Sequence, residues 1–190
     1  MSTCRPSLCA ALLAWLVLAS TAQAAAPRAD SFEARLALRE CSASVREQAV
    51  AACRQALELG LGPERGAIAQ RLLGRSLADL TRWDEALEAY REALRLQPAD
   101  ADAAHGVGLA LLYGLNRAAD AEPYLRQALA DRPDEAVFHL QLAIALNAIG
   151  HHEEALGEFK AALALDVTVL DQRPAAQAAY LASLREALWP

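Results

Sequence analysis

The sequence predicts an all-α protein, a solenoid of stacked antiparallel helix hairpins closed by a helix at its C-terminal end. Three observations carry that reading. Alanine supplies 46 of the 190 residues. Alanine and leucine are strong helix formers, and β-branched residues are few. The chain is 55% hydrophobic but only 5% aromatic, so small side chains dominate the packing. Finally, a pattern recurs. Ala86, Tyr90 and Ala93 stand four and three residues apart, and the same spacing returns at Ala121, Leu125, Ala128 and at Ala155, Phe159, Ala162.

The first element, residues 1–24, reads as an export signal and not as part of the fold. Arg5 gives a basic start, an apolar stretch runs from Leu8 to Ala19, and Ala22-Gln23-Ala24 forms an A-x-A cleavage site. The apolar run falls short of the roughly 20 residues a membrane-spanning helix needs. Cys9 lies at the start of that run instead of ending it, which argues against a lipoprotein site. Cleavage is expected after Ala24, with a periplasmic or secreted location and no stable membrane insertion of the mature chain.

Residues 30–63 read as a degenerate first hairpin. Ala49, Cys53 and Ala56 repeat the spacing, and "FEARLALREC" before them supplies a partner helix. Ser44 and Glu47 have the spacing of a capping box, which predicts a helix start near Val45. Cys4 and Cys9 leave with the signal, so Cys41 and Cys53 remain. Two cysteines in an exported chain predict one disulfide. Two thiols without a nearby histidine are too few ligands for zinc. A Cys53 eight residues along its helix lies about 12 Å from the start. The bond therefore requires the segment after Cys41 to fold back along that helix.

Residues 67–169 hold three clear copies, 67–100, 101–135 and 136–169. Each has an apolar helix with a small residue, Gly74, Gly108 or Ala143, ahead of its alanine set. Pro98 and Pro133 close the first two copies, and Val167 stands at the third such place. The first two alanine sets are 35 residues apart and the next two 34, the extra residue falling in "YGLNRA". Two helices and two short turns fill such a period. One hairpin cannot bury its apolar face alone, so copies stack. Last, residues 172–189 read as a helix that starts at Pro174 and covers the exposed face of the final copy.

These residues resemble the tetratricopeptide repeat (TPR) family. Its small first-helix residue matches Gly74, Gly108 and Ala143, its alanine–bulky–alanine set matches the three sets above, and its closing proline matches Pro98 and Pro133. Trp83 sits where the family often has an aromatic residue. Gln70, Ala104 and His139 depart from the family's large apolar residue. The resemblance implies a right-handed superhelix whose first helices line a concave groove. The inward positions are then Arg71, Arg75 and Asp79, followed by His105, Leu109, Leu112 and Tyr113, and by Leu140, Ile144 and Asn147. Some TPR proteins hold a peptide's C-terminal carboxylate on these helices; Arg75 stands where that clamp has Asn. Arg71 and Arg75, four apart, either grip a carboxylate bidentately or pair with Asp79 or Glu64.

The function classes narrow accordingly. The formal net charge is −6 and no basic stripe is visible, so nucleic acid is not an expected partner. No phosphate-loop, dinucleotide-binding, zinc-protease or nucleophile-elbow motif is present. His151 and His152 read as part of a solvated turn. Neither a catalytic residue nor a metal or cofactor is expected. The reading is a scaffold that binds a protein or peptide, with an accessory factor or subunit of an envelope enzyme or secretion complex as the alternative.

Overall fold

The computed structural model describes residues 29–171 and 173–188; the expected leader lies outside them. Among the described residues there are nine α-helices and no strand. They are α1 Phe32–Ala43, α2 Arg46–Glu58, α3 Pro63–Asp79, α4 Trp83–Leu96, α5 Ala101–Leu109, α6 Ala118–Asp131, α7 Ala136–Ala148, α8 His152–Leu165 and α9 Pro174–Leu188. A single π turn, Ala110–Gly114, continues α5. Consecutive helices pack as antiparallel pairs, α1 on α2 through α7 on α8, and each pair rests on the next.

Small residues make this possible. All six alanines of the three sets are completely buried, as are Leu125 and Phe159, and Tyr90 is 6% exposed. Within a hairpin the glycine of the first helix meets the bulky residue of the second. A Cβ on Gly74 would lie 2.9 Å from the Tyr90 ring, and one on Gly108 would lie 2.5 Å from Leu125. Real side chains do not approach so closely, so the backbone separation depends on the absence of that methyl.

The three clear hairpins share a turn. The first helix ends, one residue adopts left-handed backbone, and the second helix begins. Those residues are Thr81 (φ 59°), Asn116 (φ 53°) and Gly150 (φ 86°). The N–H of the following residue then reaches back to a carbonyl of the last turn: Arg82 to Leu77 (2.9 Å), Arg117 to Leu111 (2.8 Å) and His151 to Leu146 (2.9 Å). This is the left-handed helix stop that Gly and Asn serve best. Its bond spans five residues in the first and third hairpins and six in the second. The extra residue of the middle copy therefore lies before Arg117. It is taken up by the π turn, where the Leu115 N–H donates to the Ala110 carbonyl at 3.0 Å. The stretch "YGLNRA", to which the sequence assigns it, begins at Tyr113 within that π turn.

Thr81 is the outlier of the three, because a β-branched residue is strained at positive φ. Thr81→Asn, which copies the second hairpin, is expected to raise stability by about 1 kcal/mol. A urea midpoint that shifts upward with unchanged slope checks it; an unchanged or lower midpoint contradicts it.

At the N-terminal end the disulfide joins Cys41 and Cys53, with Cα atoms 4.7 Å apart. The turn between α1 and α2 is only Ser44 and Val45, with Arg46 at φ 55°. That tight reversal lays the end of α1 along α2 and brings the thiols together. It also prevents the expected capping box. Ser44 belongs to the stop of α1, its N–H donating to Glu40, and α2 starts without a side-chain cap. Glu47 reaches Arg82 of the next hairpin instead, at 3.4 Å.

At the other end, α9 packs on both α7 and α8. Ser183 is fully buried there, and its hydroxyl donates to Asn147 Oδ1 at 2.9 Å. The Phe159 and Tyr180 rings meet edge to face at 5.4 Å.

Candidate partner-binding groove

The first helices α3, α5 and α7 supply the expected groove residues, and α3 touches α5 directly. Arg75, Asp79 and Tyr113 are exposed, and Leu109 and Ile144 are half-buried. Tyr113 is the groove's most prominent aromatic, 49% exposed, and it sits on the π turn. Its hydroxyl donates to Gln141 Oε1 of α7 at 2.5 Å, which fixes the ring's direction across the joint between α5 and α7.

Several expected groove residues are placed otherwise. Leu140 is fully buried and Leu112 is 8% exposed, so both belong to the core. The reason is that α7, "AVFHLQLAIALNA", is apolar on nearly every side and packs between α6, α8 and α9. Asn147 is engaged by Ser183 and by His152 Nδ1 (3.0 Å), so α9 closes that end. Arg71 is not a free anchor. Its guanidinium lies 3.1 Å from Asp100 and 3.5 Å from Asp102. Neither is the Asp79 or Glu64 that the local sequence offers. Asp100 is positioned by its other task, since its Oδ1 accepts from the Ala103 N–H and caps α5. Asp102 also pairs with Arg132.

His105 borders the space between α3 and α5 together with Arg71 and Arg75, as expected, but half-buried. Its ring stacks on Phe138 of α7 with centroids 4.4 Å apart, and the Arg132 guanidinium lies over the same Phe138 at 4.6 Å. Burial holds the imidazole down at a pKa of about 4, so it is neutral at pH 7. Arg75 makes no ion pair among the described residues. A cavity of about 260 Å³ opens beside it, between α3 and α5, and Tyr90 reaches that cavity from α4. Tyr90 is the site residue that spacing alone hides, since its position marks it as core.

A wider trough of about 680 Å³ lies on the opposite side, between α2 and α4 with α3 beneath. Most of its charges are paired with one another: Arg54 with Glu85, Arg91 with Glu88 and Arg95 with Glu92. Exposed pairs of this kind contribute little to stability. Among the described residues no group of three or more His, Cys, Asp or Glu is arranged to hold a metal, and no helix is long and apolar enough to cross a membrane.

The family model of the TPR repeat matches residues 74–112, and that of the tetratricopeptide repeat matches residues 110–168, together half of the chain. This chain belongs to the tetratricopeptide repeat family. Among curated proteins the TPR chain is similar to protein O-mannosyl-transferase Tmtc1 of Drosophila melanogaster, 36% identical over 113 residues. That match takes in 58% of this chain and 13% of Tmtc1. Among solved structures the TPR array resembles MamA (residues 41 to the end) from Desulfovibrio magneticus RS-1. The TM-score is 0.64 at 18% identity, covering 84% of this chain and 96% of that one. It also resembles the first TPR of Spaghetti (RPAP3) bound to the HSP90 peptide SRMEEVD. There the TM-score is 0.58 at 19% identity, covering 65% of this chain and 95% of that one. At such identities the likeness is one of fold.

Proposed function

We propose that this TPR protein is an exported scaffold that holds a segment of another protein or peptide along Arg75, Leu109, Tyr113 and Ile144. The observation that carries the reading is Tyr113. It is a large aromatic side chain left half in solvent yet pinned by Gln141. Interface energy concentrates on such residues, and a pre-oriented ring loses little entropy on binding. Leu109 and Ile144 continue an apolar surface beside it. The peptide-bound structure among the solved relatives supports a peptide partner for this fold. The signal-like pattern of residues 1–24 and the Cys41–Cys53 bond support export to an oxidising compartment. The match to Tmtc1 covers too little of that protein to carry a transferase activity here.

A random peptide display library selected against the full chain tests the groove. Recovered peptides are expected to lose at least tenfold in affinity on Tyr113→Ala. They should bind unchanged on Arg91→Gln, which alters the opposite face. Equal binding by Tyr113→Ala and the parent overturns the reading.

A further inference from the structure

The two ends of the array are finished differently. At the C-terminal end α9 lies over the last hairpin. At the other end the first hairpin leaves large apolar side chains in solvent, Phe32 at 69% and Leu36 at 46% exposure. Both belong to α1. That helix buries Ala34, Ala37 and Cys41 against the array and turns Phe32, Leu36 and Ala43 away from it. At about 100° per residue, these last three fall on one line along the opposite side of the helix. Among the described residues nothing covers that line.

The charges beside it are sorted by sign. Glu33 and Glu40 flank the line on one side, and Arg35 and Arg39 flank it on the other. Elsewhere the chain joins opposite charges within one helix: Arg91 to Glu88, Arg95 to Glu92 and Arg126 to Glu122. On α1 they are kept apart. None of the four makes an ion pair among the described residues. Arg35 and Arg39, four residues apart, even oppose each other along the helix. The sorting therefore does nothing for α1 alone. It complements a helix that presents the same flanks in reverse order. A copy of α1, turned by half a revolution about an axis parallel to the helix, is such a partner.

We infer that two copies of this chain associate end to end through α1, with the two helices parallel about a two-fold axis. Phe32, Leu36 and Ala43 then meet their own counterparts, as a two-fold contact requires. The acidic flank of each helix faces the basic flank of the other, Glu33 against Arg35 of the second copy and Glu40 against Arg39. An antiparallel pair would set acid against acid and base against base, so the charges oppose it. The contact strip is one helix of 12 residues. That puts it at the small end of specific interfaces, with an expected dissociation constant in the micromolar range. The two arrays point away from the joint. One dimer thus carries two grooves, and a partner with two recognised segments is held by both.

Sedimentation equilibrium of the full exported chain tests this. A dimer is expected that dissociates on dilution through the micromolar range and weakens as salt screens the flanking charges. Leu36→Glu, at an exposed position, should keep the helix content and weaken the dimer at least tenfold. Arg35→Glu with Arg39→Glu should give a monomer, as should Glu33→Arg with Glu40→Arg. Mixing those two variants should restore a dimer containing one of each. Ala43→Cys should crosslink the pair on mild oxidation, since an antiparallel arrangement centred on Leu36 would hold the two thiols roughly 20 Å apart. A chain that stays monomeric at about 100 μM overturns the inference, and so does a monomer that binds anionic phospholipid vesicles through Leu36 instead. A dimer indifferent to Leu36→Glu and to both charge reversals places the contact elsewhere. Failure of Ala43→Cys to crosslink an otherwise intact dimer overturns the parallel arrangement.

Discussion

Replacing Phe159 with alanine is expected to lower stability by about 3–5 kcal/mol. Phe159 heads the fully buried side chains by size, and no part of it reaches solvent. It sits between Ala155 and Ala162 on α8, so the neighbours along its own helix are too small to fill the space it would leave. Its ring also gives Tyr180 of α9 an edge-to-face partner. The loss should therefore be felt twice. The denaturation midpoint should fall, and amides of α9 should exchange faster than those of α3 and α4. In a linear array each unit touches only its neighbours, so damage near one end stays near that end. A loss under about 1 kcal/mol, with α9 exchange unchanged, would contradict this account of how the final helix is held.

The second large effect lies at the opposite end. Removing the Cys41–Cys53 bond by replacing both residues with alanine should cost about 3 kcal/mol, the loop-closure value for a 12-residue separation. Both sulfurs are buried, Cys41 at 2% and Cys53 at 0% exposure. A reductant should therefore act slowly on the native chain. The penalty falls on α1 and α2, whose turn already carries Arg46 at positive φ. Those two helices are expected to melt ahead of the rest, so that unfolding ceases to be a single transition. Coincident transitions with an unchanged midpoint would show that the terminal hairpin stands without its crosslink.

What was legible in the sequence is what repeats. Ala86, Ala93 and their counterparts, with Gly74 and Gly108, are set by contacts inside one hairpin, so their spacing carries the fold. Of the expected groove residues, Arg75 and Tyr113 stand exposed as their pattern suggests, Tyr113 held by Gln141 of the next hairpin. Arg71 was misread because its partners Asp100 and Asp102 lie a whole hairpin further on. Leu140 and Ile144 could not be separated by pattern. They share a helix with apolar residues on most sides, and such a helix has no stripe to orient it. Asn147 depended on α9 returning over the array. Tyr90 was hidden by its own regularity. The one available signal was chemical: a hydroxyl where the other copies carry Leu125 and Phe159. The left-handed turns had a readable marker in Gly150 and Asn116, and Thr81 concealed the first.

The π turn at Ala110–Gly114 has a consequence for how such an array tolerates a change in length. An added residue in a rigid helix would rotate every later side chain by about 100°, turning core positions toward solvent. Here the displacement is cancelled within one turn. Asn116 follows Thr81 by 35 residues and Gly150 follows Asn116 by 34, yet all three occupy the same place in their hairpins. Phase is therefore restored before the next helix begins, and the array behaves like a ruler with one stretched division whose later marks still fall true. The stretch is lodged next to Tyr113, so the place where the count was altered is also where the groove shows its aromatic ring.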